Sequence, residues 1–317
     1  MTEIMDKFRP LLDPKSIAFV GASASPAKWG NIVLSNLVSN GYPGTIYPIN
    51  PREKKILGLP AYSSIGDLPE SPDLAVLIVP PPAMPEAIDE CIKKGIKAGL
   101  VITAGFAEVG DLGSAMQADM VEKARQAGMI LVGPNCNGLI RPSKKLYPLM
   151  PAVFPEAGPL GIVSQSGNVA TTLGRRALKS GIGVSTVISS GNEADLKSED
   201  FIEFLGEDPE TKVIIGYIEG FSNGRRFLKK VRRVTRKKPV VLIKAGDTDA
   251  GAQAAMSHTA SLAGSSEAFD GVCAQAGITR VYSLDELFNT GIGFLKQPLA
   301  RGNRTAVITM GGGWGVV

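Results

Sequence analysis

The chain has one histidine, His258, in 317 residues. That scarcity rules out a metal site built on imidazoles, which needs several of them converging. Cysteine is nearly as rare: Cys91, Cys136 and Cys273 show neither a pairing pattern nor metal-ligand spacing. Thiols used so sparingly point to a reducing, cytoplasmic setting. No apolar run reaches membrane-spanning length, and Met1 to Pro14 is charged, without the apolar stretch of a signal peptide. A net charge of +4 is too small to demand a nucleic-acid or membrane partner. The phosphate-loop pattern G-x-x-x-x-G-K-S/T is missing as well, so no nucleotide-gripping loop of that kind is expected.

What is present reads as repeated β-α-β. With 44% hydrophobic and 20% charged residues, the chain is long enough for two domains with real cores. Ser16-Ile-Ala-Phe-Val-Gly21 predicts a buried strand, followed by a Gly/Ser turn and an apolar-periodic helix to about Ser39. That layout offers helix N–H groups to a phosphate. It is not the dinucleotide fingerprint, because Ser23 replaces the second glycine. The second strand ends in Asn50-Pro-Arg52 rather than in an acid, and Arg52, Lys54 and Lys55 follow. A basic cluster there suits an extra phosphate, as on NADP or the 3′-phosphate of coenzyme A.

Further strands are expected at Leu74 to Val79, stopped by Pro80-Pro-Pro82, and at Ala98 to Ile102 and Met129 to Val132, which end in polar or Gly-rich turns. Sheets of this class bind ligands at those ends. Cys91 and Cys273 fall on apolar helical stripes and belong in the core; Cys136, in Gly133-Pro-Asn-Cys-Asn-Gly138, either lines a site or simply makes a turn. Lys144 to Gly158, rich in proline, reads as a linker.

After it, Leu160 to Gly167 repeats the strand-turn-helix scheme. It sets Ser164, Ser166 and Gly167 at a helix start, either as an anion site or as an ordinary serine cap. Val213 to Glu219 is another expected strand, with Glu219 at its C-terminal end. Arg225 to Lys238 carries nine basic residues around one apolar face, a solvated amphipathic helix with no aromatics interleaved for base stacking. Pro239 to Lys244 then feeds a run of Gly, Ala and Ser that holds His258. A lone imidazole among small residues is either a surface histidine in an ordinary loop, the reading composition alone favours, or a side chain that moves and accepts a group. Arg304 to Val317 reads as one more strand and glycine turn with no helix after it, which points to a truncated chain rather than a natural C-terminus.

Three segments in this order, Gly133-Pro-Asn-Cys136, Ser164-Gln-Ser-Gly167 and Ser257-His-Thr-Ala-Ser-Leu-Ala-Gly264, resemble the α subunit, or N-terminal half, of nucleoside-diphosphate-forming acyl-CoA synthetases. These are relatives of the succinyl-CoA synthetase α subunit. The resemblance implies an α/β chain with a Rossmann-like CoA-binding domain (1–143), a linker (144–158), a flavodoxin-like ligase domain (159–300) and the beginning of a further domain (301–317). It also implies reversible conversion of acyl-CoA, phosphate and ADP to acid, CoA and ATP. The acyl phosphate formed first would pass its phosphoryl group to His258, with Glu219 fixing the imidazole tautomer and Ser164, Ser166 and Gly167 holding phosphate.

By position, the resemblance places Gly21, Ser23, Ser25, Pro26 and Lys28 in the first CoA-phosphate turn. Asn50, Arg52 and Lys54 fall near the 3′-phosphate, and Val79, Pro80, Thr103 and Asn135 along the pantetheine path. ATP or ADP with magnesium would sit on an ATP-grasp β subunit or fused domain, in a hetero-oligomer or a homodimer of a fusion. The first turn, Gly-Ala-Ser-Ala-Ser, departs from the more glycine-rich succinyl-type turn, and the basic residue after Asn-Pro is displaced. Two other readings compete: the CoA-binding regulatory region of a protein lysine acetyltransferase, and an NADP-dependent oxidoreductase. Retention of His258 with Glu219 counts against the first, and the broken fingerprint against the second.

Overall fold

A computed structural model describes residues 2–247 and 265–300, together with 302, 304, 306–311 and 313. His258 and its neighbours lie outside the described residues, as does part of the strand expected from residue 304. Chain order is α1 (Glu3–Leu12), β1 (Ser16–Val20), α2 (Trp29–Ser39), β2 (Thr45–Ile49), β3 (Lys55–Ile56), β4 (Leu59–Pro60), β5 (Leu74–Leu77), α3 (Met84–Lys94), β6 (Ala98–Val101), α4 (Asp111–Gln126) and β7 (Ile130–Val132). It continues with β8 (Leu139–Ile140), β9 (Ala157–Ser164), α5 (Gly167–Lys179), β10 (Val184–Ser189), α6 (Ser198–Glu207), β11 (Val213–Ile218), α7 (Gly224–Thr235), β12 (Val240–Lys244), α8 (Ser266–Ala276), β13 (Thr279–Val281) and α9 (Leu284–Lys296).

The strands build two large sheets. The first runs β2-β1-β5-β6-β7, all parallel. The second runs β13-β12-β11-β9-β10-β8, parallel except for β8, which lies antiparallel to β10. If the parallel strands of each sheet are numbered along the chain, the first sheet reads 2-1-3-4-5 and the second, from its β10 side, reads the same. This order puts the topological switch beside the first strand of each sheet, where a crevice opens at the strands' C-terminal ends. Strands β1, β5, β6, β10 and β12 are buried along their whole length, as expected of parallel strands covered by helices on both faces.

The chain crosses between sheets earlier than its prolines suggest. β8 already belongs to the second sheet, ahead of the boundary expected at residue 143. Within 144–158, Leu146, Tyr147, Leu149 and Val153 are buried, so the segment read as a linker packs into the protein. Its prolines set turns, while the apolar residues between them supply core.

Helix α1 ties the halves together. Phe8 stacks on Phe204 of α6 with ring centroids 5.1 Å apart and meets Phe201 edge-on, while α1 also packs on β6 of the first sheet. One continuous apolar cluster consequently runs from Phe19 and Val76 of the first sheet to Val163 and Ile214 of the second. The basic helix α7 buries Phe227, Val231 and Val234. Its Arg226 and Lys230 reach Asp200 of α6, at 2.5 and 2.6 Å. Burial alone would raise the Asp200 pKa, but hydrogen bonds from these two cations and from the Lys197 N–H more than offset it and hold the carboxyl below its usual range.

All three cysteines are buried, and burial pushes each thiol up to about 12. Cys136 packs in the core with Sγ 3.4 Å from the Val101 carbonyl, so its turn is structural. Thiols this far from ionising are poor nucleophiles. Native protein should therefore take up no iodoacetamide at pH 8 over a period that fully alkylates it in denaturant; mass spectrometry reads the difference.

Candidate active site

The site grows from the strand ends. Asn50, Gly21, Val79, Thr103 and Asn135 follow β2, β1, β5, β6 and β7, in the order of the first sheet. They therefore form a file along one edge of that sheet, its outer members roughly 20 Å apart at about 4.8 Å per strand. Hydrogen bonds stitch the file: Asn50 Nδ2 donates to the Ala22 carbonyl (2.8 Å), Thr103 Oγ1 to the Val79 carbonyl (2.7 Å), and the Asn135 N–H to the Thr103 carbonyl (2.9 Å).

At the β1 end, Gly21 has φ +89° and an added Cβ would sit 2.2 Å from the Ile78 carbonyl oxygen. A Cβ on Gly30 would stand 2.0 Å from the Gly21 carbonyl oxygen. These two glycines let α2 approach the strand end as the Rossmann glycines do, although the sequence spacing differs. Ser25, Pro26 and Lys28 are exposed around the turn, and no side chain caps the start of α2. Ser23 is partly buried and accepts the Asn31 Nδ2 at its carbonyl (2.8 Å). Arg52 and Lys54 are exposed beyond Asn50, whose Oδ1 accepts the Arg52 N–H (2.8 Å). Val79 is half-buried and Pro80 exposed. An uncapped helix start flanked by exposed cations suits a polyphosphate.

At the β7 end the file opens into a cavity of about 750 Å³ between the sheets. Asn135 lines it from the first sheet; Ser166, Gly167 and Glu219 line it from the second. Ser166 caps α5, its Oγ accepting the Val169 N–H at 3.4 Å. The helix start thus borders the same space as the half-buried Glu219. Because β9 lies between β10 and β11, the turns after β9 and β11 flank the switch point of the second sheet.

Ser164 takes a different place. It is fully buried, its hydroxyl donates to the Ser166 carbonyl (2.7 Å), and it does not line the cavity. The serine expected to hold phosphate instead shapes the turn that presents Ser166 and Gly167.

Several wall residues were not singled out from the sequence. Asn192, in the loop after β10, donates from Nδ2 to Glu108 (2.6 Å) and Gln117 (3.0 Å) and accepts from Asn135 at Oδ1 (3.1 Å). It joins the second sheet to three residues of the first domain. For Glu108, burial works upward, but hydrogen bonds from Asn192 and the Gly105 N–H leave the carboxyl below its ordinary range. Glu193 lies in the same wall with φ +52°. Burial raises its pKa, only partly offset by hydrogen bonds from Ser198, Ser190 and Gln165. The one available signal was position: Asn192 and Glu193 are polar residues just past β10, and Glu108 lies in the connection between β6 and α4.

Comparison with known proteins agrees with this layout. Residues 15–142 match the family described as CoA binding domain, and residues 157–292 the succinyl-CoA ligase like flavodoxin domain. Acetate–CoA ligase (ADP-forming) I of Archaeoglobus fulgidus is 41% identical over 97% of this chain and 44% of its own length. The α subunit of acetate–CoA ligase (ADP-forming) I of Pyrococcus furiosus is 39% identical over 97% of this chain and 67% of its own length. The acetyl-coenzyme A synthetase 1 of Ca. Korarchaeum cryptofilum, solved with phosphate and ADP, superposes with a TM-score of 0.90 at 38% identity, covering 98% of this chain and 67% of that one.

A CoA-binding domain joined to a succinyl-CoA ligase-type flavodoxin domain defines an acid–CoA ligase architecture. The chain belongs to the family of ADP-forming acetate–CoA ligases, and aligns with two thirds of the α subunit in Pyrococcus furiosus. It spans about half to two thirds of the length of these relatives. No helix among the described residues is long and apolar enough to cross a membrane.

Proposed function

We propose that this chain is the α component of an acid–CoA ligase that interconverts acyl-CoA, phosphate and ADP with acid, CoA and ATP. The observation that carries the reading is one cavity holding both a helix start (Ser166, Gly167) and a strand-end carboxylate (Glu219), at the end of a file leading from the first turn. CoA would lie along that file, its phosphates against the start of α2 and the cations Lys28, Arg52 and Lys54, its thioester end toward Asn135.

Phosphate would be held by the N–H groups at the start of α5 and by the Ser166 hydroxyl. Attack of a phosphate oxygen on the thioester carbonyl expels the CoA thiolate and leaves an acyl phosphate. A ring nitrogen of His258 then attacks phosphorus, the acid leaves as its carboxylate, and phosphohistidine remains. Glu219 would accept the hydrogen bond of the other ring N–H, which keeps the attacking nitrogen unprotonated and then balances the charged product. Phosphohistidine finally passes the group to ADP, held with magnesium on an ATP-grasp subunit or domain outside this chain.

The test supplies acyl-CoA and labelled inorganic phosphate to the complex with its nucleotide-binding partner. Acid-labile label on this chain is the expected result, together with a thermal shift by CoA that NADP does not reproduce. Stabilisation by NADP alone, or no label at all, would refute the assignment.

A further inference from the structure

Gln165 sits between the two serines of the β9–α5 turn, in the wall of the cavity, and its side chain is taken up by the protein itself. Its Oε1 accepts the N–H groups of Glu219 and of Gly220, the latter at 3.1 Å. Its Nε2 donates to the Gly220 carbonyl at 2.8 Å. The carboxylate of Glu193 lies beside the same side chain, which favours its charged form. A primary amide offers two donors and two acceptor sites, and three of the four are taken by Glu219 and Gly220. The arrangement also fixes the amide's orientation: reversal would set its NH₂ against two N–H groups and its oxygen against a carbonyl and a carboxylate. An amide engaged in this way serves the main chain rather than phosphate or thioester. It does hold the backbone from which the Glu219 side chain springs.

Glu193 is the anchor of this arrangement. It is buried, and Ser190 Oγ (2.7 Å) and Ser198 Oγ both donate to it. Its φ of +52° is uncommon for a residue with a side chain, and such backbone is kept where surrounding contacts over-determine it. Three loops are thereby locked to one another: the turn after β9, the loop after β10 and the end of β11.

We propose that Gln165, anchored by Glu193, is a positioning residue that fixes how Glu219 enters the cavity for the phosphoryl-transfer step. This rests on the reaction proposed above. The reactive groups of such a step must be placed to well under about 1 Å, and a misplacement of about 1 Å costs on the order of 100-fold in rate. The aiming works through main-chain groups, so it leaves CoA binding on the first sheet untouched.

Single-turnover labelling from acyl-CoA and labelled phosphate, in the complex with its partner, tests this. Wild-type label is the control: without it the reaction itself is wrong, whatever Gln165 does. Given that label, Gln165→Leu should slow phosphoenzyme formation about 10- to 100-fold with CoA affinity unchanged within about two-fold. In a Glu219→Gln background the same substitution should change the rate by less than about two-fold, because a residue that acts only through Glu219 has nothing left to aim. Full additivity of the two substitutions, a wild-type rate in Gln165→Leu, or a parallel loss of CoA affinity would each overturn the proposal.

Should Gln165→Leu not fold, Gln165→Glu gives an independent reading. Its carboxylate would still accept the two N–H groups but would face Glu193 from the loop after β10 and the Gly220 carbonyl after β11. Lys197, whose Nζ donates to the Glu193 carbonyl, and Glu219 itself are the other charged groups at hand. A proton shared between residues 165 and 193 restores the missing donor. Labelling by this variant relative to wild type should therefore rise as pH falls from about 8 to about 6, because like-charged carboxylates at one site raise each other's pKa. A flat or falling ratio would overturn the proposal.

Discussion

His258→Ala is expected to abolish the acid-labile label and to lower net ATP formation by at least about 1,000-fold, while CoA still stabilises the protein as in wild type. Loss of a covalent nucleophile removes the step itself rather than tuning it, and such losses reach about six orders of magnitude in well-studied enzymes. No other histidine is present in the sequence to take over. CoA binding should survive because the residues assigned to it lie along the first sheet, on elements built from residues 16–135. Glu219→Gln should fall between: less phosphoenzyme, the same CoA shift. Label persisting in His258→Ala would remove that residue from the mechanism.

The second large effect is structural and falls on the CoA side. Gly30→Ala would place a methyl group 2.0 Å from the Gly21 carbonyl oxygen, a main-chain atom that cannot swing aside. Either α2 moves off β1 or the turn between them deforms. A loss of about 3 kcal/mol is expected, at the upper end for overpacking, together with a weaker thermal shift by CoA. Gly271→Ala in α8 is the matched control, since a Cβ there meets nothing within 4 Å. Removing backbone freedom from a helix interior should stabilise by about 0.5–1 kcal/mol. Urea melts of the two variants should thus move in opposite directions. Equal behaviour would mean that the close approach of α2 has no energetic weight.

Much of this architecture was readable because it is local. The helix expected to end near Ser39 ends there, and the strand expected at Ala98 to Ile102 is β6, Ala98–Val101. Apolar periodicity and glycine turns are properties of ten or so neighbouring residues, and sequence displays them directly. Strand order is not of that kind. Nothing in the composition of β9 says that β10 and β11 flank it, since pairing joins segments far apart in the chain.

The site divides along the same line. Glu219, Ser166 and Gly167 were legible as polar groups at strand and helix ends, and the structure brings them to one cavity. The Ser164 hydroxyl finds a near acceptor in the Ser166 carbonyl, a bond that the motif alone does not display. Gln165, Asn192 and Glu193 escaped because each acts on a residue far along the chain or in the other domain. The segment after Lys144 was judged by its prolines, while Leu146, Leu149 and Val153 decided where it packs.

The short antiparallel strand β8 has a consequence for anyone who would take the protein apart. It hydrogen-bonds to β10 through Leu139 and Ile140, well ahead of residue 157, where the match to the ligase-type domain begins. A fragment cut at that match would bare the outer row of N–H and C=O groups on β10, an invitation to aggregate or to pair with a second copy. A fragment that kept this pairing would have to start near Asn137, so the piece that completes the second sheet is carried on the tail of the half before it.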